Sequence, residues 1–207
     1  MKTKPQMPLD GKFKKDWKVT SPFGWRMHPI EKRKKHHNGV DLWGPKPKMW
    51  NESWHDGTVI AAGTSKLKNA DGSLGGVGWY VDVRSKINGE WYTTRYAHMV
   101  ENSLTVVKGE KVKAGTRLGI MGNTGASAGR HLHFEICKGR YLRWTADGSG
   151  FVDPLKFVRA TIEQWELKQS IALATPDTGE VLPAPIHEPA PKPKAPKPPQ
   201  VKPKSAK

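Results

Sequence analysis

A single cysteine, Cys137, leaves this 207-residue chain with no intramolecular disulfide and no cysteine-based zinc knuckle. Its neighbours in Phe134-Glu135-Ile136-Cys137 are mostly apolar, which predicts a buried, unreactive thiol. Acidic residues are also scarce: 19 Asp and Glu stand against 35 Lys and Arg, for a net charge of +16. Such a balance does not set a fold; it draws the chain to polyanions such as nucleic acid, anionic lipid or acidic envelope polymers. No apolar run is long enough to span a membrane, and none follows the first lysines as a signal peptide requires. The expectation is a chain made in the cytoplasm without an export signal. His-Glu-x-x-His and Gly-x-Ser-x-Gly are both missing, so neither a helix-borne glutamate base nor a serine nucleophile is indicated.

What the chain does have is glycine-punctuated alternation. Val19, Phe23, Trp25 and Met27 alternate roughly with polar residues around a bend at Pro22 and Gly24. Thr58 to Ala62, Gly78 to Arg84, Glu90 to Ala97, Arg117 to Met121 and His131 to Cys137 read as further strands. Asn88-Gly89 predicts a tight hairpin between two of them. Phe157 to Leu173 carries a partial helical stripe of Val158, Ile162, Trp165 and Leu167. The fold class is therefore mainly β: a small antiparallel sheet domain over 17–160 and a helical extension over 161–175. A basic, loosely attached arm is expected over 1–16, and a disordered Pro/Lys-rich tail over 176–207.

Eight histidines are present, and their spacing carries chemistry. His37 and Asp41 flank Asn38-Gly39, a turn that can converge imidazole and carboxylate. His131 and His133 alternate with Leu132, so on a strand both imidazoles share one face while Leu132 enters the core. His98 ends a predicted strand in Tyr96-Ala97-His98-Met99. A hydrolytic zinc needs three protein ligands and a proton carrier near its open position. Two histidines and one aspartate as ligands leave two histidines for acid–base work.

In series, these segments resemble the zinc endopeptidases of the lysostaphin/LytM type, peptidase family M23. The resemblance is carried by Ser21-Pro22-Phe23-Gly24-Trp25-Arg26, by His37-Asn38-Gly39-Val40-Asp41 and by Tyr96-Ala97-His98-Met99. It continues through Val107 to Gly115 and Gly122-Asn123-Thr124-Gly125 into His131-Leu132-His133-Phe134-Glu135, covering roughly 19–156. It implies a grooved antiparallel β domain and a Zn2+ ion held by His37, Asp41 and His133. His98 and His131 match the catalytic pair, and His36 is a bystander. The implied substrate is the peptide part of bacterial peptidoglycan, with anionic wall polymers as further partners of the basic arm and tail. Nucleic acid is not an expected partner, because the nine tryptophans are scattered and many lysines sit in the end segments.

Three departures from the family pattern bear on substrate choice. Arg130 stands where a proline is usual and adds a charge beside the site. Trp79 follows Gly78 where a small polar residue is common, which is expected to alter the groove wall. The longer segment from Gly44 to Gly57, with Trp50, Trp54 and His55, is expected to cover the groove. The missing export signal favours a phage endolysin or virion-borne lysin that reaches the wall after release or with the particle. The alternative is a non-catalytic module of the same fold that binds walls or regulates a partner.

Overall fold

The computed structural model describes residues 3–27, 32–143 and 145–174. Its strands are β1 (Lys18–Ser21), β2 (Gly24–Met27), β3 (Lys34–His37), β4 (Gly39–Trp43), β5 (Trp50–Glu52) and β6 (Gly57–Thr64). These are followed by β7 (Trp79–Ile87), β8 (Glu90–Met99), β9 (Lys111–Val112), β10 (Arg117–Ile120), β11 (Leu132–Lys138), β12 (Phe151–Val152) and one helix, α1 (Pro154–Ala174). The main sheet runs β1-β4-β11-β8-β7-β6-β9, with β12 also on β11 and every pairing antiparallel. Two-stranded sheets β10-β5 and β2-β3 flank it. Among the described residues no helix is long and apolar enough to cross a membrane.

Alternation builds the core. Leu132, Phe134 and Ile136 of β11 are fully buried with Val40 and Leu42 of β4 and Tyr96 of β8. The β7–β8 hairpin turns at Asn88 and Gly89, both at positive φ (48° and 88°), as a type I′ turn requires. Helix α1 starts earlier than its apolar stripe suggests. Asp153 caps it, accepting from the Lys156 N–H at 3.2 Å, and Pro154 occupies the first turn, where its missing N–H costs nothing. Leu155 and Val158 fasten the helix to the core, and Phe157 packs on Tyr92 and Trp54.

The expected boundary at residue 160 falls inside α1, so the sheet domain and the first half of the helix are one packed body. The loosely attached arm also needs correcting. Leu9 is only 2% exposed, and the segment lies along β5. Its backbone bonds run from Gln6 N–H to the Trp54 carbonyl and from Glu52 N–H to the Pro8 carbonyl. The physical reason is that Pro5, Pro8 and Leu9 break the lysine pattern and give the arm an apolar side to bury. The Pro/Lys tail lies outside the described residues.

Candidate metal and catalytic site

The site forms where β4, β8 and β11 lie side by side. Pairing sets His133 opposite Asp41 on one side and opposite Ala97 on the other. Gly39 allows this closeness: a Cβ there would lie 2.6 Å from the Phe134 carbonyl oxygen and 3.0 Å from the His133 ring. His37 is the last residue of β3 and reaches the same point from the other end of the Asn38 link.

Three side-chain atoms converge. His37 Nε2 and His133 Nδ1 are 3.1 Å apart, His133 Nδ1 and Asp41 Oδ1 are 2.9 Å apart, and His37 Nε2 and Asp41 Oδ1 are 3.3 Å apart. Tetrahedral zinc with ligand bonds of about 2.0–2.1 Å separates its ligand atoms by about 3.4 Å, so this triangle fits such an ion with little adjustment. His131 Nε2 stands 3.4 Å from Asp41 Oδ1. The His98 ring lies 4.9 Å from that of His131 and 5.8 Å from that of His133, centroid to centroid.

Each imidazole is aimed by its outer nitrogen. Nδ1 of His37 meets the Pro22 carbonyl at 2.8 Å, Nδ1 of His98 the Thr124 carbonyl at 2.7 Å, and Nδ1 of His131 the Gly129 carbonyl at 2.7 Å. A carbonyl only accepts, so each Nδ1 carries the proton and each Nε2 is left with a lone pair toward the site. His133 is turned the other way: its Nε2 meets Glu135 Oε1 at 2.9 Å, which frees Nδ1 for the centre. Glu135 is the functional residue here that has no assigned role from the sequence alone. The signal was available, since residues 133 and 135 share a strand face.

Electrostatics favour a cation at this point. Burial disfavours a charged His133, yet hydrogen bonds donated by its ring to Asp41 and Glu135 outweigh it and hold its pKa up at about 9. Burial pushes the Asp41 carboxyl up, but three imidazoles around it hold it far below the ordinary carboxylate range. Burial pushes His98 down to about 3, helped by the neighbouring His133 and His131, so His98 is a neutral acceptor. Its backbone is unusual: φ is +62°, left-handed for a non-glycine residue. The β7–β8 register slips between Trp79 and Val81, giving β8 an extra residue there, and this bulge turns His98 into the groove.

The groove encloses about 460 Å³. It is lined by Arg26, Lys35 and His36 of the β2–β3 pair, by Gly76-Val77 and by the 126–130 loop. His36 is therefore more than a bystander: it lines the groove and holds Asn38, Nδ1 to Oδ1, at 2.8 Å. The Gly44–Gly57 segment does not cover the groove. Trp54 is 1% exposed in the core, and Trp50 belongs to the β5–β10 pair. Trp79 likewise packs against the core instead of lining the groove, because its strand position turns the ring inward. Cys137 is buried, and burial raises its pKa.

A mainly antiparallel sheet with this cluster at its centre defines a peptidase domain, and the chain belongs to peptidase family M23, which matches residues 35–144. Among curated proteins it is similar to peptidoglycan DD-endopeptidase ShyA of Vibrio cholerae serotype O1, at 36% identity over 135 residues. That alignment covers 64% of this chain and 27% of the relative; the chain spans roughly a quarter of the length of the curated relatives it matches. The fold is shared with the catalytic domain of the antimicrobial peptidase lysostaphin from Staphylococcus simulans. That likeness has a TM-score of 0.54 and 24% identity, over 69% of this chain and 92% of that one. A zinc-containing peptidase from Vibrio cholerae is similar with a TM-score of 0.50 and 28% identity, over 73% of this chain and 39% of that one.

Proposed function

We propose that this chain is a zinc-dependent endopeptidase that hydrolyses peptide cross-links of bacterial peptidoglycan. One observation carries the reading. His37, Asp41 and His133 present ligand atoms at zinc spacing, with the free Nε2 faces of His98 and His131 beside them. The substrate class is carried over from the DD-endopeptidase relative, and the net charge of +16 suits a target rich in anionic polymers.

In this reading His37, Asp41 and His133 hold the ion. Bound zinc supplies Lewis-acid chemistry, polarising a peptide carbonyl and acidifying water. His98 and His131 carry protons. Each has its Nδ1–H committed to a carbonyl, so each offers Nε2 as acceptor: one takes the proton of the attacking water, and protonated imidazole returns one to the leaving amine. Pinning by Thr124 and Gly129 keeps both rings in the tautomer this task needs. The lysin setting, free enzyme or virion component, is tested by whether the protein is found in purified particles or only in the lysate.

The central test is digestion of purified sacculi with and without a chelator, followed by mass spectrometry of the fragments. We expect cross-linked dimers to be cleaved to monomers, chelation to stop the reaction and added zinc to restore it. His98→Ala should keep stoichiometric zinc while losing about 10²–10⁴-fold in turnover. Full activity in that variant would remove His98 from the mechanism. Wall binding without cleavage by the zinc-loaded wild type would install the non-catalytic alternative.

A further inference from the structure

We propose that the groove contains a carboxylate-binding subsite, formed by Arg130 beside Trp43, that selects peptides bearing a free carboxylate next to the scissile bond. This rests on the peptidase reading above and goes beyond it by naming what the substrate must carry.

The charge inventory of the groove is the starting point. Arg26, Lys35, Arg95 and Arg130 line it, against the carboxylates of Asp41 and Glu135. Arg95 is committed: its Nε and Nη2 each donate to Asp82 at 2.8 Å, a bidentate pair. Arg26 leans on Asp41, with Nη2 3.8 Å from Oδ2. Arg26 also has a buried nitrogen, Nε, with no acceptor, and Arg130 differs from both in having no carboxylate partner among the described residues. Its Nη2 donates to the Gly44 carbonyl, its Nη1 is buried with no acceptor, and it forms no ion pair among the described residues. A guanidinium offers five donors in a planar fork. This fork is anchored at one nitrogen, lines the groove and carries a charge with no carboxylate partner among the described residues, so an anion entering the groove meets that charge.

Position makes that acceptor part of a substrate. Arg130 immediately precedes His131, whose Nε2 is 3.4 Å from Asp41. Trp43 follows Asp41 by two residues on β4, so both project from the same face, and Trp43 also lines the groove. The anchor on Gly44, next to Trp43, holds the Arg130 side chain over that end of β4. A substrate residue lying here meets an indole wall for its carbon stem and a guanidinium for its charge. Planar, bidentate recognition of carboxylate is what arginine does better than lysine.

The experiment uses two cross-linked stem-peptide dimers of one sequence, with carboxylates free in the first and amidated in the second. Both are compared at fixed ionic strength with wild type, Arg130→Gln and Arg130→Lys. We expect wild type to favour the free acid by about 10–100-fold in kcat/KM, the range of a charge-assisted hydrogen bond. Arg130→Gln should pull that ratio toward one, mainly through KM, and Arg130→Lys should keep part of it. A merely structural role for Arg130 would slow both substrates alike and leave the ratio unmoved. An unmoved ratio in Arg130→Gln, or no preference in wild type, overturns the proposal. Calorimetric binding of the same dimers separates this from the peptidase reading. If neither dimer is cut, the hydrolase reading fails, while tighter binding of the free acid that Arg130→Gln abolishes still supports the subsite. Equal binding of the two dimers overturns it.

Discussion

His133 has a carboxylate on each side: Asp41 Oδ1 on Nδ1 and Glu135 Oε1 on Nε2, both at 2.9 Å. The second contact does not touch the ion position, but it fixes which nitrogen faces it and makes that nitrogen more basic. Burial pushes the Glu135 carboxyl up, and the His133 hydrogen bond and charge pull it back down, so it stays ionised. Glu135→Gln keeps the length and an accepting oxygen while removing the charge. We expect zinc affinity to fall about 10–100-fold in a competitive chelator titration, with the melting temperature nearly unchanged. An unchanged affinity would reduce Glu135 to a packing residue. At this scale the sequence shows the side chains and hides what aims them. His37, Asp41, His98, His131 and His133 stand out by type and spacing, and the fold brings all five together. The carbonyls of Pro22, Thr124 and Gly129 carry no side-chain signature, because any residue supplies a carbonyl and only the chain path decides where it points. The orphan nitrogen of Arg130 is equally invisible before the groove exists.

Two local backbone features of the elements place those side chains: the β8 bulge that turns His98, and the bare Cα of Gly39 that lets β4 close on β11. At Gly39 the obstacle is backbone, since an added Cβ would lie 2.6 Å from the Phe134 carbonyl oxygen. Gly39→Ala therefore has to push β4 away from β11, and Asp41 moves with it. We expect a loss of about 1–3 kcal/mol in denaturant unfolding, the usual cost of overpacking, accompanied by weaker zinc binding. A variant that lost stability with full metal affinity would show that the strands move without the ligands. Long elements were legible because they repeat. β7, β8 and β11 run to seven residues or more, β11 alternates apolar and polar side chains from Leu132 to Ile136, and Asn88-Gly89 announces its own turn. β9 and β12, two residues each, have no period to read. The start of α1 escaped because Asp153-Pro154 precedes its first apolar position. The Gly44–Gly57 segment misled because tryptophans in a loop-like stretch look exposed, whereas Trp54 finds hydrogen-bond partners inside, donating to Thr94 Oγ1 through its indole at 2.9 Å and to Tyr96 Oη through its backbone at 3.0 Å.

For the molecule as a whole, the N-terminal segment is part of the domain, and composition averaged over 1–16 concealed this by counting lysines. Asp56 is where that segment is tied down. Its Oδ2 accepts from the Thr3 N–H and its Oδ1 from the Ala114 N–H, each at 3.0 Å, so one carboxylate joins the segment to the turn after β9. Burial pushes the Asp56 carboxyl up, but those two backbone donors, with Lys113 beside them, outweigh it and hold its pKa below the ordinary 3.8. A folded pKa below the unfolded one means stability that is fully present above pH about 4 and lost as pH falls through the folded value. Asp56→Asn separates this group from every other carboxylate that titrates in acid. An asparagine has one accepting oxygen for two N–H donors, and its amide nitrogen faces the second donor. At pH 7 we expect Asp56→Asn to unfold with about 1–3 kcal/mol less stability than wild type and to lose protection of the Thr3 and Gln6 amides in hydrogen exchange. The gap between the two proteins should close as pH is lowered below 4, because protonated aspartic acid has the same defect as asparagine. A gap that stayed constant to pH 2 would mean that the segment is held by Leu9 and the β5 pairing alone, with the carboxylate a spectator.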